Sequence, residues 1–225
     1  MLADLPRTLA SLDADDRVRV IVMRGAGERA FCVGADLRQT FSEIAEAATD
    51  LTERDDGGMA SAQKPLIAMI HGHCIGGGLL MALGADLRIA SIDANFVIPI
   101  SRLGIAYPYA AVQRLVATVG PVAASEMIFT ARSVGADEAH RLGFVNRVVP
   151  KEDLEATVLE VAAEIAANAP LSLRASKALI WAAIRGDEAS IESARTLGAE
   201  CRASADAAEG RLAFLEKRAP NFLGR

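Results

Sequence analysis

Residues 64–90 read KPLIAMIHGHCIGGGLLMALGADLRIA. Residues 66–70 form a short apolar run, the pattern of a buried strand. Gly72 opens a turn, and Gly76-Gly77-Gly78 lets the backbone bend sharply and approach a ligand closely. Residues 79–83 then predict a helix closed by Gly84. A Gly-rich turn from strand to helix presents backbone N–H groups at the helix N-terminus. Such a turn favours negative charge on whatever binds there.

Two other readings of this stretch compete. Residues 65–85 carry no formal charge and are long enough to span a bilayer. Five glycines, two histidines and the flanking charges of Lys64 and Asp86 argue against a span. His71 and His73, at i and i+2, share a face if they lie on one strand. No neighbouring carboxylate or thiol completes a ligand set, so a structural or solvent-facing role is expected for both and no metal is predicted.

The chain has 225 residues, the size of one domain. A hydrophobic content of 52% is ample for a core, and a net charge of −5 gives no general attraction to nucleic acid. Cys32, Cys74 and Cys201 are far apart and odd in number, which indicates a reducing compartment. The first four residues have neither the basic start nor the apolar core of a signal peptide. A cytoplasmic protein is the expectation.

Leu2, Leu5, Leu9 and Leu12 fall at helical spacing and predict an opening amphipathic helix. Residues 18–23 predict a strand and 31–33 a second apolar run. Gly34-Ala35-Asp36-Leu37 follows and leads into another helix with Asp36 placed as its N-cap. This is a second turn-to-helix junction with free N–H groups. Residues 49–63 are polar and predict weak helix or loop. After the central stretch come a strand at 87–90 and an extended segment at 96–100 around Pro99. A loop follows at 102–108, then a helix at 109–119 and another to 130 that starts at Pro121. A short helix is predicted at 135–142 and a strand at 145–149. From Lys151 the pattern is helical: 151–168, 171–185 and 188 to about 217, punctuated by Pro170 and Gly186. A β/α body with a helical tail is the simplest architecture.

Six segments together resemble the enoyl-CoA hydratase/isomerase (crotonase) superfamily. They are AFCVGADL at 30–37, KPLIAMIHGHCIGGG at 64–78, GADLRIAS at 84–91, QRLVATVG at 113–120, AHRLGFVNRVVP at 139–150 and FLEKRAPNF at 214–222. They occur in family order and spacing across nearly the whole chain. The resemblance implies an α/β fold, a spiral of ββα turns with C-terminal helices that build a homotrimer or hexamer. It divides the chain into a spiral core at 1–166 and a helical oligomerisation region at 167–225. It also implies that a strand hairpin which usually precedes the first helix is missing.

The family's shared chemistry implies an oxyanion hole of two backbone N–H groups, here those of Ala35 and Gly77. They would hold the thioester oxygen of an acyl-CoA as it becomes enolate-like. Removing one such donor costs about 10²–10³ in rate. By the same resemblance Ala35, Asp36, Leu37 and Arg38 line the CoA channel. Phe214 and Lys217 match tail residues that reach the CoA of a neighbouring subunit; the competing reading is a core phenylalanine and a solvated lysine. Coenzyme A enters as part of the substrate and no other cofactor is implied.

The sequence departs from the family where hydratases carry two glutamates. Leu80 stands at one position and Ile100 at the other, after Phe96-Val97-Ile98-Pro99. Each positioned acid or base contributes about 10²–10⁴ in rate, so ordinary hydration is not expected of these residues. Tyr107 lies in a segment that looks like that of the family's methylmalonyl-CoA decarboxylases. Decarboxylation needs a dry pocket and an oxyanion hole but no base. Leu80 and Ile100 would supply apolar walls and Tyr107 a phenolic donor; the alternative for Tyr107 is a packed aromatic at the rim. Arg102 is a nearby cation, more simply a solvated one, and Glu126 is expected to be structural. Glu53, Asp55 and Asp56 are carboxylates that sequence cannot place relative to the site. The expectation is a family protein acting on an acyl-CoA thioester. Its alternatives are a malonyl-type decarboxylase using Tyr107 and an acyl-CoA-binding protein without turnover.

Overall fold

The computed structural model describes residues 4–34 and 59–225. The chain lays its strands alternately into two sheets. Helix α1 (Leu5–Ala14) is followed by β1 (Ile21–Arg24), β2 (Ala30–Cys32), β3 (Leu66–Ile70) and β4 (His73–Ile75). Next come α2 (Gly77–Gly84), β5 (Leu87–Ser91), β6 (Asn95–Val97), α3 (Ile100–Leu103) and α4 (Tyr109–Thr130). Strand β7 (Val134–Gly135), α5 (Ala136–Arg141) and β8 (Arg147–Val149) complete the body. Helices α6 (Leu154–Ala166), α7 (Pro170–Arg185), α8 (Glu188–Ala203) and α9 (Ala205–Glu216) follow. One sheet has the order β1-β3-β5-β8 and the other β2-β4-β6-β7. Each circuit therefore adds one strand to each sheet, which is the expected ββα spiral. All these pairs are parallel except β6 with β7.

Strand β3 shows why the spiral is stable. All five of its residues are buried. Leu66, Ala68 and Ile70 enter the main core, while Ile67 and Met69 enter a second cluster with Ile89, Leu154, Val158 and Val161. The period of two divides one apolar run between two cores, so the run is continuous rather than alternating. Helix α6 covers the outer cluster. Helix α7 is anchored to the body by the buried Lys177, whose Nζ lies 2.8 Å from Asp86 Oδ2 and also donates to the Lys64 carbonyl.

Three local expectations change. His71 and His73 do not share a strand, because β3 ends at Ile70 and the chain crosses to the other sheet through Gly72. His71 is buried while His73 is exposed, its Nδ1 2.8 Å from Asn95 Oδ1. The segment after Pro99 is not extended: Pro99 is the N-cap of α3, and Gly104 closes that helix in the left-handed region. The C-terminal helix is two helices, since Ser204 leaves helical geometry and its hydroxyl accepts from the Ala207 N–H at 3.1 Å. A serine that satisfies an orphan N–H makes a helix start there favourable. The two predicted helices at 109–130 meet at Gly120, with φ 76°.

No described helix is long and apolar enough to cross a membrane. The predicted helix after Gly34, with its Asp36 cap, lies outside the described residues.

Candidate active site

The Gly triplet does two separate jobs. Gly76 has φ 55° and ψ −117° and is the N-cap of α2. Its N–H donates to the Val97 carbonyl at 3.0 Å, and its own carbonyl accepts from Leu79 N–H at 3.0 Å and Leu80 N–H at 3.2 Å. Gly77 is thereby the first helical residue, one of the four whose N–H has no partner within a helix. No acceptor among the described residues takes the Gly77 N–H. Gly78 is a matter of space, because a Cβ there would stand 2.1 Å from the Cys32 carbonyl oxygen. The end of β2 thus rests directly on the start of α2.

Gly34 brings the second turn to the same place. Its φ of +89° is one that other residues rarely adopt, and a Cβ on it would stand 3.1 Å from Gly77 N. Gly34, where the second predicted junction begins, is therefore a neighbour of Gly77 in space. Ala35, Asp36, Leu37 and Arg38 begin immediately after Gly34 and lie outside the described residues, as do Glu53, Asp55 and Asp56.

The far end of α2 is neutralised. Arg88 is buried and donates to the carbonyls of Ala82 (3.2 Å), Ala85 (2.7 Å) and Phe144 (2.6 Å). Burial pushes its guanidinium down to about 10, while Asp86 and Cys74 oppose that shift. The group is still charged at neutral pH. A cation on the C-terminal carbonyls complements the helix dipole, whose positive end is at Gly77. Cys74 is fully buried, and burial raises its thiol well above the ordinary range.

Around this N-terminus the walls are apolar. Leu80 and Ile100 are only 5% and 6% exposed and belong to one core cluster with Met59 and Met81. Pro99 sits beside the turn, its ring 3.8 Å from where a Gly76 Cβ would be. Tyr107 is half-buried, packs on the same cluster, and its hydroxyl donates to the Gly76 carbonyl at 2.9 Å. A carbonyl oxygen can only accept, so the proton is the phenol's. That bond was not foreseen from the sequence, which offered a phenol for the substrate or a packed ring. No local pattern signals a contact between residues so far apart in the chain.

The other candidates point elsewhere. Arg102 is exposed and donates to the Thr130 carbonyl at 3.5 Å. Glu126 accepts from Arg132 at 2.9 Å, and Arg132 also bridges to Glu138 through two nitrogens. This triad joins α4 to α5 and holds the Glu138 carboxyl below its usual range. Phe214 is not a core residue within this chain, being 83% exposed; Lys217 is exposed and caps α9 in the left-handed region. Phe214 borders an apolar groove of about 630 Å³ with Leu171, Leu215 and Phe222, away from the Gly triplet. Among the described residues no group of three His, Cys, Asp or Glu could hold a metal.

Comparison with known proteins agrees with this architecture. A family model described as enoyl-CoA hydratase/isomerase matches residues 1–225. A crotonyl-CoA hydratase of Syntrophomonas wolfei is 34% identical over 100% of this chain and 88% of its own length. A carnitinyl-CoA dehydratase of Proteus mirabilis is 38% identical over 94% of this chain and 84% of its own. Among solved structures, an enoyl-CoA hydratase from Bacillus anthracis superposes with a TM-score of 0.89 at 32% identity, covering 100% of this chain and 88% of that one. Spiral, helical tail and sequence agree over the full length, and the chain belongs to the enoyl-CoA hydratase/isomerase family.

Proposed function

We propose that this chain acts on an acyl-CoA thioester and holds the thioester oxygen at the Gly77 N–H as that oxygen becomes enolate-like. One observation carries the reading: an N–H without an acceptor among the described residues, at the positive end of α2, where the end of β2 meets it. A donor fixed before reaction in a water-poor site is worth far more than one in water. The relatives' names support the substrate class, since each is a CoA thioester enzyme. The Ala35 N–H is the proposed second donor, with Asp36, Leu37 and Arg38 along the CoA channel. The exposed Phe214 and Lys217 are proposed to serve a neighbouring copy in a homotrimer or hexamer.

The apolar Leu80 and Ile100 favour a reaction that needs no protein carboxylate at either position. Decarboxylation of a malonyl-type CoA thioester fits. The bond from the α-carbon to the carboxylate breaks, its electron pair moves into the thioester, and CO₂ departs. The enolate oxygen rests on the N–H donors, and the α-carbon then takes a proton from water. An apolar pocket assists, because it disfavours the charged carboxylate relative to neutral CO₂. The same apolar wall also supports a protein that binds acyl-CoA without turnover.

The test is mass spectrometry of crotonyl-CoA, malonyl-CoA and methylmalonyl-CoA after incubation with the purified full chain. Loss of CO₂ is the expected result. Gain of water on crotonyl-CoA at hydratase rates would overturn the reading of Leu80 and Ile100. Unchanged esters that co-elute with the protein would leave the binding role.

A further inference from the structure

We propose that Tyr107 is a positioning residue for the oxyanion donor, acting through the peptide bond between Gly76 and Gly77. The inference rests on the assignment of the Gly77 N–H made above. The Tyr107 hydroxyl donates to the Gly76 carbonyl at 2.9 Å. That carbonyl and the Gly77 N–H are the two ends of one planar trans peptide and point in opposite directions. Fixing the oxygen fixes the direction of the N–H. Among the described residues the Gly76 oxygen takes three donors, from Leu79 N–H, Leu80 N–H and the phenol. Each donor draws electron density toward the oxygen and leaves the N–H a stronger donor. Such polarisation strengthens a neighbouring hydrogen bond by about 10–30%.

The site has a physical need for such a brace. The peptide lies between two glycines, so no Cβ on either side resists its rotation. A flipped peptide would present the carbonyl, not the N–H, to a developing negative charge. The two helical N–H groups hold the oxygen from the helix side, and Tyr107 holds it from the bridge between α3 and α4.

Tyr107 is itself well anchored. Gly104 closes α3 with its N–H on the Ile100 carbonyl, the Ile105 N–H bonds the same oxygen at 3.1 Å, and Pro108 caps α4. The phenol therefore sits on a short bridge between two helices, with its ring on the core. The role assigned here acts through that hydrogen bond to the Gly76 carbonyl, and not through a bond from the phenol to a substrate carboxylate.

The experiment uses cinnamoyl-CoA, a chromophoric enoyl thioester without a second carboxylate, whose absorbance moves to longer wavelength when its carbonyl is polarised. The wild-type full chain is expected to bind it with a red shift. Tyr107→Phe keeps the ring and should bind the probe with similar affinity but a smaller red shift. Turnover of whichever CoA ester the wild type converts should fall about tenfold in kcat with little change in KM, less than the loss of a whole donor.

A second variant carries 3,5-difluorotyrosine at position 107 and is measured at pH 6, where the phenol stays protonated. The more acidic hydroxyl should increase the red shift, an effect that a packing role does not produce. An equal red shift in wild type and Tyr107→Phe, or no response to fluorination, overturns the positioning role and leaves the oxyanion assignment standing. Probe bound by the wild type without any red shift overturns the oxyanion assignment. Failure of the wild type to bind the probe overturns both.

Discussion

Gly34 lies against the amide nitrogen of Gly77, so closely that a methyl group on Gly34 would stand 3.1 Å from that nitrogen. The spiral has brought the end of β2 over the first turn of α2, and a Cβ between them would force its neighbour to give by a few tenths of an ångström. Gly34→Ala would place a methyl beside the proposed oxyanion donor and force a residue with a Cβ to a φ of +89°. The left-handed backbone alone costs about 1–2 kcal/mol. Turnover should fall about 10²–10³-fold, the loss of one donor. Thermal unfolding and steady-state kinetics on the same preparation separate the two effects, and full activity in this variant would contradict the placement of the site.

Leu80 carries a second expectation. It is buried in the main core beside the Gly triplet. Leu80→Glu puts a carboxyl where burial disfavours the charged form, so its folded-state pKa rises above the unfolded value. An acid with a raised folded pKa costs little below the unfolded pKa, and the cost grows as pH rises toward the folded one. Urea titrations should find this variant's deficit relative to wild type larger at pH 8 than at pH 5. A pH-independent deficit would mean that the carboxyl reaches water.

The ion pair between the half-buried Asp86 and the buried Lys177 ties the helical tail to the body. Asp86 also accepts the Leu66 N–H at 2.7 Å and the Trp181 Nε1–H at 3.3 Å. Asp86→Ala leaves a buried ammonium and two unpaired donors, and should cost about 3–5 kcal/mol. Lys177→Met leaves Asp86 with its two N–H partners and should cost less. Trp181 is the single tryptophan of the chain, so its fluorescence reports the unfolding directly. A smaller loss in Asp86→Ala than in Lys177→Met would reverse the argument.

Acid should undo the Glu209 clasp on the end of the chain only as pH falls through its depressed pKa. The Arg218 guanidinium, then the Asn221 N–H, hold its carboxyl at about 2, below an ordinary 4.5. A depressed folded pKa contributes stability above the unfolded value, and that contribution is lost as pH falls through the folded one. The window is therefore pH 4.5 down to 2. Glu209→Gln should unfold with a shallower pH dependence across that window, followed by circular dichroism. Identical acid slopes in the two proteins would show that the clasp does not outlast the fold's own acid unfolding.

Much was legible from short range alone. The apolar run at 66–70 and the three glycines after it are local signals, and they become β3, the corner and the N-terminus of α2 as read. The order and spacing of six segments carried the ββα spiral. Local differences have local causes: the segment around Pro99 reads as extended where the proline caps a helix, and Ser204 starts a helix within one continuous helical pattern. What only the tertiary structure decided are the contacts made by winding the chain. Gly34 against Gly77, Tyr107 on the Gly76 carbonyl, and Lys177 under Asp86 join residues far apart in sequence. Periodicity and turn chemistry act over a few residues and set which element forms. The meeting of two elements depends on how the sheets stack, and the direction of one peptide at the site follows from that stacking.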